Sequence, residues 1–136
     1  MNNENLIGSL ALVHPELKDD PARMQGGIGV ITYVGKENHE IYMSFPGRGE
    51  GVYHGGAVMR LKDKNEVLER LVNDGDHMEV EDFKDLYKIT MLQDRGTSTG
   101  TLSALEIARD NPNIWEKTLE TASAVQNLQL EKAIGR

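Results

Sequence analysis

Short runs of β-forming residues, separated by glycine, proline and polar residues, fill the first half of the chain. Residues 27–35 place five β-formers in succession between glycines. Residues 40–45 alternate strictly, with Ile41, Met43 and Phe45 on one face and Tyr42 on the other. The pattern predicts five strands, at residues 6–13, 27–35, 40–45, 52–54 and 57–61.

The segments between these strands have the composition of loops and turns. Residues 14–25 contain two prolines and mixed charges, which indicates a long irregular loop. The polar residues 36–39 separate two strands and predict a hairpin. Residues 46–51, PGRGEG, predict a glycine-rich turn.

The apolar period changes to that of a helix after residue 62. Apolar residues recur at helical spacing over residues 64–73, 80–92, 101–110 and 112–133. Asn111 and Pro112 suit the cap and first position of the last helix. We interpret 64–73 as the exit from the strand region, so the other three segments form the predicted helical region.

The order of these strands resembles the SH3-like β-barrels, and within them the small barrels with KOW-type segments. The residues that carry the resemblance are Val13, Gly27-Ile28-Gly29-Val30-Ile31, Ile41-Tyr42-Met43-Ser44-Phe45 and Ala57 to Leu61. The resemblance covers residues 5–62 and implies a five-stranded barrel. Such barrels bind peptides, RNA, ribosomes or polymerases, or serve structural roles, so the resemblance leaves function open.

Together these patterns predict an α+β protein with a barrel at residues 1–62 and an acidic helical region at residues 63–136. The net charge of −7 is distributed unevenly. Residues 1–62 carry six basic and seven acidic residues, so −6 of that charge lies beyond them. Because nucleic-acid affinity depends on neutralising phosphates, nucleic-acid binding would have to use the first region.

The composition also bears on the compartment. The chain has no cysteine, which removes disulfides, thiolate zinc sites and cysteine nucleophiles. The N-terminal residues lack the basic and apolar segments of a secretory signal. No apolar run approaches the roughly 20 residues that a transmembrane helix needs. We therefore expect a cytoplasmic protein without membrane association.

The sequence contains no catalytic constellation and no metal signature. His14, His39, His54 and His77 are too far apart in sequence to form a local chelating pair. We therefore predict no catalytic residue, metal site or cofactor. Residues 95–100, RGTSTG, hold the hydroxyls of Thr97, Ser98 and Thr99, which either bind an anion or cap the following helix. Capping is the favoured interpretation.

Most aromatic residues lie in the first region. Tyr33, Tyr42 and Tyr53 are candidates for an exposed aromatic strip, of the kind that stacks bases or holds proline-rich peptides, and the alternative is that some of them cover the end of the barrel. Arg48, in the glycine-rich turn, is a fourth candidate binding residue.

Three functional hypotheses follow. The first is a non-enzymatic protein-interaction module that uses these four residues. The second is a nucleic-acid-binding barrel that uses the basic residues Lys18, Arg23, Lys36, Arg48, Arg60 and Lys62. The third is a small-molecule-binding protein or enzyme with a pocket between barrel and helices. The oligomeric state is open.

Overall fold

The computed structural model describes residues 6–35 and 40–122, so Lys36, His39 and the predicted helical residues from 123 onward lie outside the described residues. Between Leu10 and Thr121 it contains six strands and four α-helices, which confirms the α+β class. They are β1 (Leu10–Val13), β2 (Ile28–Val34), β3 (Glu40–Phe45), β4 (Gly49–His54), β5 (Val58–Leu61), α1 (Lys64–Asp74), α2 (Val80–Arg95), α3 (Ser98–Arg109), α4 (Trp115–Thr118) and β6 (Leu119–Thr121).

The six strands form one sheet in the order β4-β3-β2-β1-β5-β6. The pairs β1–β2, β1–β5, β2–β3 and β3–β4 are antiparallel. In the described residues β4 and β6 are the two edges, so the sheet is open. The expected five-stranded barrel is therefore wrong in two respects, because the described sheet has a sixth strand and does not form a barrel.

The sixth strand replaces part of a predicted helix. Within residues 112–133, a 3₁₀ turn at Pro112–Ile114 is followed by the short helix α4, and the backbone becomes extended at Leu119 (φ −119°, ψ 148°). Leu119 is buried. The spacing of Trp115, Leu119 and Ala122 is compatible with a helix, but pairing next to β5 gives Leu119–Thr121 backbone partners that a helical pattern does not reveal.

Strand β4 begins earlier than the glycine-rich pattern suggests. Gly47 has a φ of +74° directly after Pro46, and the Arg48 N–H donates to the Phe45 carbonyl at 2.9 Å. These are the features of a type II turn, with proline in its second position and glycine in its third. Gly49 then pairs with Phe45, so β4 starts inside the segment predicted as a turn.

The chain divides into two compact units. The described residues of Met1–Arg60 and of Glu120–Arg136 form the first, which we call the sheet unit, and Leu61–Leu119 forms the second, the helical unit. The core of the sheet unit comes from inward-facing strand residues and their neighbours: Leu6, Ala11, Val13, Met24, Ile31, Val34, Ile41, Met43, Phe45, Tyr53, Val58 and Ala122.

The helical unit contains all four α-helices, one more than the three expected, because α1 is a full three-turn helix. The Asp63 side chain caps α1 by accepting from the Asn65 N–H at 3.0 Å. Gly96, with a φ of +69°, ends α2 in the left-handed conformation that glycine adopts readily. Asn111 caps the 3₁₀ turn that leads to α4, and Pro112 lies at the start of that turn. Both residues hold the positions predicted for them, although the element they begin is a 3₁₀ turn.

Candidate functional site

A β-bulge in β2 determines which side chains the sheet presents on its outer face. Ile31 pairs with Met43 and Tyr33 pairs with Tyr42, so the register shifts by one residue at Thr32. Thr32 and Tyr33 are consequently both exposed, between the buried Ile31 and Val34. Strict alternation would have directed Tyr33 inward with Ile31. Bulges commonly redirect side chains in this way at functional positions.

The redirected Tyr33 meets a tyrosine of the next strand. The rings of Tyr33 and Tyr42 lie 5.4 Å apart at an interplanar angle of 74°, an edge-to-face arrangement. Tyr42 pairs in turn with Val52 of β4. Tyr33 is 57% exposed and Val52 is 51% exposed. These three residues cross three neighbouring strands, and we call them the tyrosine row.

Acidic and polar side chains border the tyrosine row. On β3, Glu40 and Ser44 share the alternation of Tyr42, and both are half-buried. On β4, Glu50 and His54 share the alternation of Val52, and both are exposed. The outer face of these strands therefore carries two carboxylates beside an apolar and aromatic centre.

Tyr53 does not belong to the exposed strip considered from the sequence. It is 5% exposed and lies in the core of the sheet unit, edge-to-face with Phe45 at 6.3 Å. Its place in β4, between the outward Val52 and His54, directs it inward. Gly51 makes room for its ring, because a Cβ there would lie 2.8 Å from Tyr53 Cε2.

The Tyr53 hydroxyl holds the loop that precedes β2. It donates to Asp20 Oδ2 at 3.1 Å, and that carboxylate also accepts from the backbone N–H groups of Ala22 (2.9 Å) and Met24 (2.7 Å). Burial, together with the charge and hydrogen bond of Asp20, raises the pKa of Tyr53 to about 12. The side-chain oxygens of Asp20 and Tyr53 are therefore engaged in hydrogen bonds that stabilise the fold.

Arg48 is exposed in the type II turn between β3 and β4. The structure therefore brings Tyr33 and Tyr42 together, leaves Arg48 at the end of the same hairpin and places Tyr53 on the opposite side of the sheet. Val52 is the member of the tyrosine row that sequence reasoning missed. Its outward position follows from the burial of its neighbour Tyr53, which the sequence did not reveal.

The hydroxyl-rich segment at residues 97–99 begins α3. Thr97 is its N-cap, and its Oγ1 accepts from the Gly100 N–H at 2.9 Å. Ser98 and Thr99 lie in the first turn and are exposed. Thr97 thus performs the capping role favoured for this segment, although the capping residue is Thr97 rather than Ser98 or Thr99.

Two histidines of the described residues, His14 and His54, stabilise local turns. The Nδ1 atom of His14 accepts from the Glu16 N–H at 3.0 Å, and that of His54 accepts from the Gly56 N–H at 3.2 Å. In the part of the chain that the structure describes, no group of three or more His, Asp or Glu side chains is arranged to hold a metal ion.

The helical unit contains a three-residue ionic cluster. The Asp74 carboxylate accepts from Arg70 Nε at 3.0 Å and from Lys117 Nζ at 2.8 Å. These hydrogen bonds, first that of Lys117 and then that of Arg70, lower the pKa of Asp74. The cluster lies beside an open pocket of about 410 Å³ that Asp74, Asn113 and Lys117 help to line.

Comparison with known proteins adds no relative to this picture. No protein-family profile, curated protein or solved structure matches the chain. Over residues 6–35 and 40–122, no helix has the combined length and apolar character needed to cross a membrane.

Proposed function

We propose that this protein is a non-catalytic protein-interaction module whose tyrosine row binds an extended, proline-containing segment of a partner protein. The observation that carries the proposal is the edge-to-face pair of the exposed Tyr33 with the half-buried Tyr42, which the bulge at Thr32 brings together on the outer face. Polyproline segments are extended before they bind and lose little entropy on docking to aromatic surfaces.

The charge around the tyrosine row favours a basic residue next to the prolines. Glu40 and Glu50 border the row, and the described strands β2, β3 and β4 contain no lysine or arginine. A cationic side chain in the partner segment would meet complementary charge here. A nucleic acid would bring phosphates against these carboxylates, so this face favours protein over the nucleic-acid alternative.

A peptide titration tests the proposal. The probe is a synthetic polyproline peptide with one terminal arginine, added to ¹⁵N-labelled protein and followed by amide chemical shifts. We expect the shifts to concentrate on Tyr33, Tyr42 and Val52. Y42A should weaken binding at least about tenfold, because aromatic residues at the centre of a contact surface commonly dominate binding energies.

Y87A is the matched control, because Tyr87 is a 52% exposed tyrosine of the helical unit. Equal losses from Y42A and Y87A, or shifts outside the tyrosine row, would contradict the proposal. Replacing the terminal arginine of the peptide by glutamate should weaken binding. If a short single-stranded RNA bound at low salt and the peptide did not, the nucleic-acid alternative would take its place.

A further inference from the structure

The helical unit exposes an unusual amount of apolar side chain on two neighbouring helices. Leu68 and Val72 of α1 are exposed, Val72 to 72%. Phe83, Tyr87 and Met91 of α2 are also exposed, Tyr87 to 52%. On each helix these residues are four positions apart, so they form a stripe along one face.

The two stripes lie beside each other at the junction of α1 and α2. Leu68 and Met91 line the same pocket of about 310 Å³ between the helices. At the other end, Phe83 approaches Gly75 so closely that a Cβ there would lie 2.9 Å from Phe83 Cε2. We call the surface made by Leu68, Val72, Phe83, Tyr87 and Met91 the α1–α2 groove.

The α1–α2 groove is large enough for a specific interface. Aromatic side chains alone offer about 150–250 Å² each, so five large residues at these exposures leave roughly 500 Å² of apolar surface in water. A standard interface buries about 800 Å² on each partner, of which roughly 60% is apolar. The apolar part of the α1–α2 groove therefore matches one side of such an interface.

Outside the ion pair of Lys64 with Asp94, which joins the two helices, the exposed residues beside the groove differ in charge between α1 and α2. On the α1 side, Glu69 follows Leu68 and is exposed. On the α2 side, Lys88 follows Tyr87, and Arg95 lies four residues after Met91, and both are exposed. These two basic residues also line a pocket of about 570 Å³ beside Tyr87 and Met91, which Glu81, Lys84 and Asp85 line as well. Lys84 on the same border is 4.0 Å from Glu81, so Lys88 and Arg95 contribute most of the basic character.

A surface with one acidic and one basic border is complementary to a copy of itself. A two-fold axis parallel to the helices places α1 of one copy over α2 of the other and keeps every residue at its own height along the axis. Lys64 lies 3.6 Å from Asp94, and Leu68 shares a pocket with Met91, so Glu69 stands near the height of Lys88. The acidic border of each copy then faces the basic border of the other.

We propose that the α1–α2 groove is a self-association surface, occupied by the same groove of a second copy, with Glu69 of one copy opposite Lys88 of the other. The arrangement buries the ten exposed apolar side chains of the two copies together. It lies in the helical unit, apart from the tyrosine row, and is independent of the proposed peptide binding.

Sedimentation equilibrium over a wide concentration range tests this inference. We expect the unaltered protein to form a dimer, and V72E and Y87E to raise its dissociation constant by at least about tenfold, because each would bury an unpaired charge. Leu102 is an exposed leucine of α3 outside the groove, so L102E is the matched control and should leave the dimer intact. Far-ultraviolet circular dichroism checks that each variant remains folded.

Charge exchange provides a test that does not depend on apolar burial. E69K and K88E should each weaken the dimer, and the double variant E69K/K88E should recover most of the affinity, because the opposed pair is restored with reversed sign. A protein that is monomeric at every concentration would overturn the inference and leave a different protein as the occupant. A dimer equally sensitive to L102E and Y87E would also overturn it, whereas Y42A should not affect it.

Discussion

Tyr53 contributes to the core through its ring and to the loop before β2 through its hydroxyl. The hydroxyl supplies one of three donors to the buried Asp20 carboxylate. A carboxylate with this little exposure depends on such donors, because removing one leaves its charge less well solvated. The tyrosine that the sequence made a binding candidate is therefore a structural residue, and its raised pKa reflects that role.

We expect Y53F to lower the free energy of unfolding by about 1–3 kcal/mol near neutral pH. The pKa of Tyr53 rises from 10.0 to about 12 on folding, so its contribution is fully present below pH 10 and is lost as the pH rises towards 12. The stability difference between the two proteins should therefore shrink across that interval.

Urea unfolding of both proteins between about pH 8 and pH 11 measures this difference. Y33F is the control, because Tyr33 is exposed on the outer face of the sheet. A difference that stays constant through the alkaline range would contradict the assignment.

Asp74 gives a prediction in the opposite pH range. Its pKa is lowered by Lys117 and Arg70, so its contribution to stability is present above the ordinary value of 3.8 and is lost as the pH falls through the lower folded value. D74N should therefore destabilise the protein at neutral pH, and this difference should disappear under strongly acidic conditions. Thermal unfolding as a function of pH, with the exposed Asp76 changed to asparagine as control, would show it.

At the scale of elements, the bulge in β2 reconciles two registers. Before Thr32, Val30 pairs with Ser44 and Ile31 with Met43, and after it Tyr33 pairs with Tyr42. Without Thr32 the same partners would follow one another in a regular ladder, and Ile31, Tyr33 and Val34 would alternate inward, outward and inward.

We therefore expect deletion of Thr32 to leave the protein folded, with the Tyr33–Tyr42 pair retained and stability changed by no more than about 2 kcal/mol. Deletion of Ser44 from the regular strand β3 is the control. It should unfold the sheet unit, because it moves the residues on one side of the deletion to the wrong face. Amide spectra of the two deletion proteins distinguish these results, and an unfolded Thr32 deletion would contradict the prediction.

The same elements show how far the sequence can be interpreted. The alternation of residues 40–45 predicted β3 with its bounds and its buried face, because each inward position is apolar. The bulge at Thr32 could not be predicted in this way, because threonine is a β-former like the residues on either side of it. The helical spacing predicts a helix at Leu119, because a three-residue strand is shorter than any detectable period. Strand β6 is stabilised instead by pairing beside β5.

Candidate site residues were predictable to the extent that they depended on composition and alternation. Tyr42 was placed correctly on the face opposite Ile41. Tyr33 lies on the same face as Tyr42 because of the bulge at Thr32, and Tyr53 faces inward because of its register on β4. Composition specifies neither the bulge nor this register. The opposed charge borders of the α1–α2 groove depend on two helices that lie side by side, and no local sequence pattern brings them together.

At the scale of the whole molecule, the two units differ in whether they are built from one continuous segment of the chain or from two. The helical unit is one continuous segment, Leu61–Leu119, whereas the sheet unit requires residues from both sides of it. The boundary expected at residue 62 is close to the entry into the helical unit, but the return of the chain to the sheet unit after Leu119 was not anticipated. Ala122 is buried in the sheet core.

We accordingly expect a fragment of residues 61–119 to unfold cooperatively on its own. A fragment of residues 1–60 should lack a cooperative transition, because it is missing β6 and Ala122. Circular dichroism with heating measures both, and adding a peptide of residues 118–136 to the shorter fragment should improve its transition. A fully cooperative 1–60 fragment would show that the sheet core does not need the returning segment.

The ends of the helical unit are held close together. The Lys62 N–H donates to the Thr118 carbonyl at 2.8 Å, and Lys62 Nζ donates to the Glu116 carbonyl at 2.7 Å. Since a ribosome releases the chain from its N-terminus, the strands up to β5 emerge first but remain incomplete. The helical unit is synthesised next, and the hydrogen bond between Lys62 and Thr118 lies directly before β6. We therefore expect the sheet, whose first strands are synthesised earliest, to complete its pairing only after the whole helical unit has been synthesised.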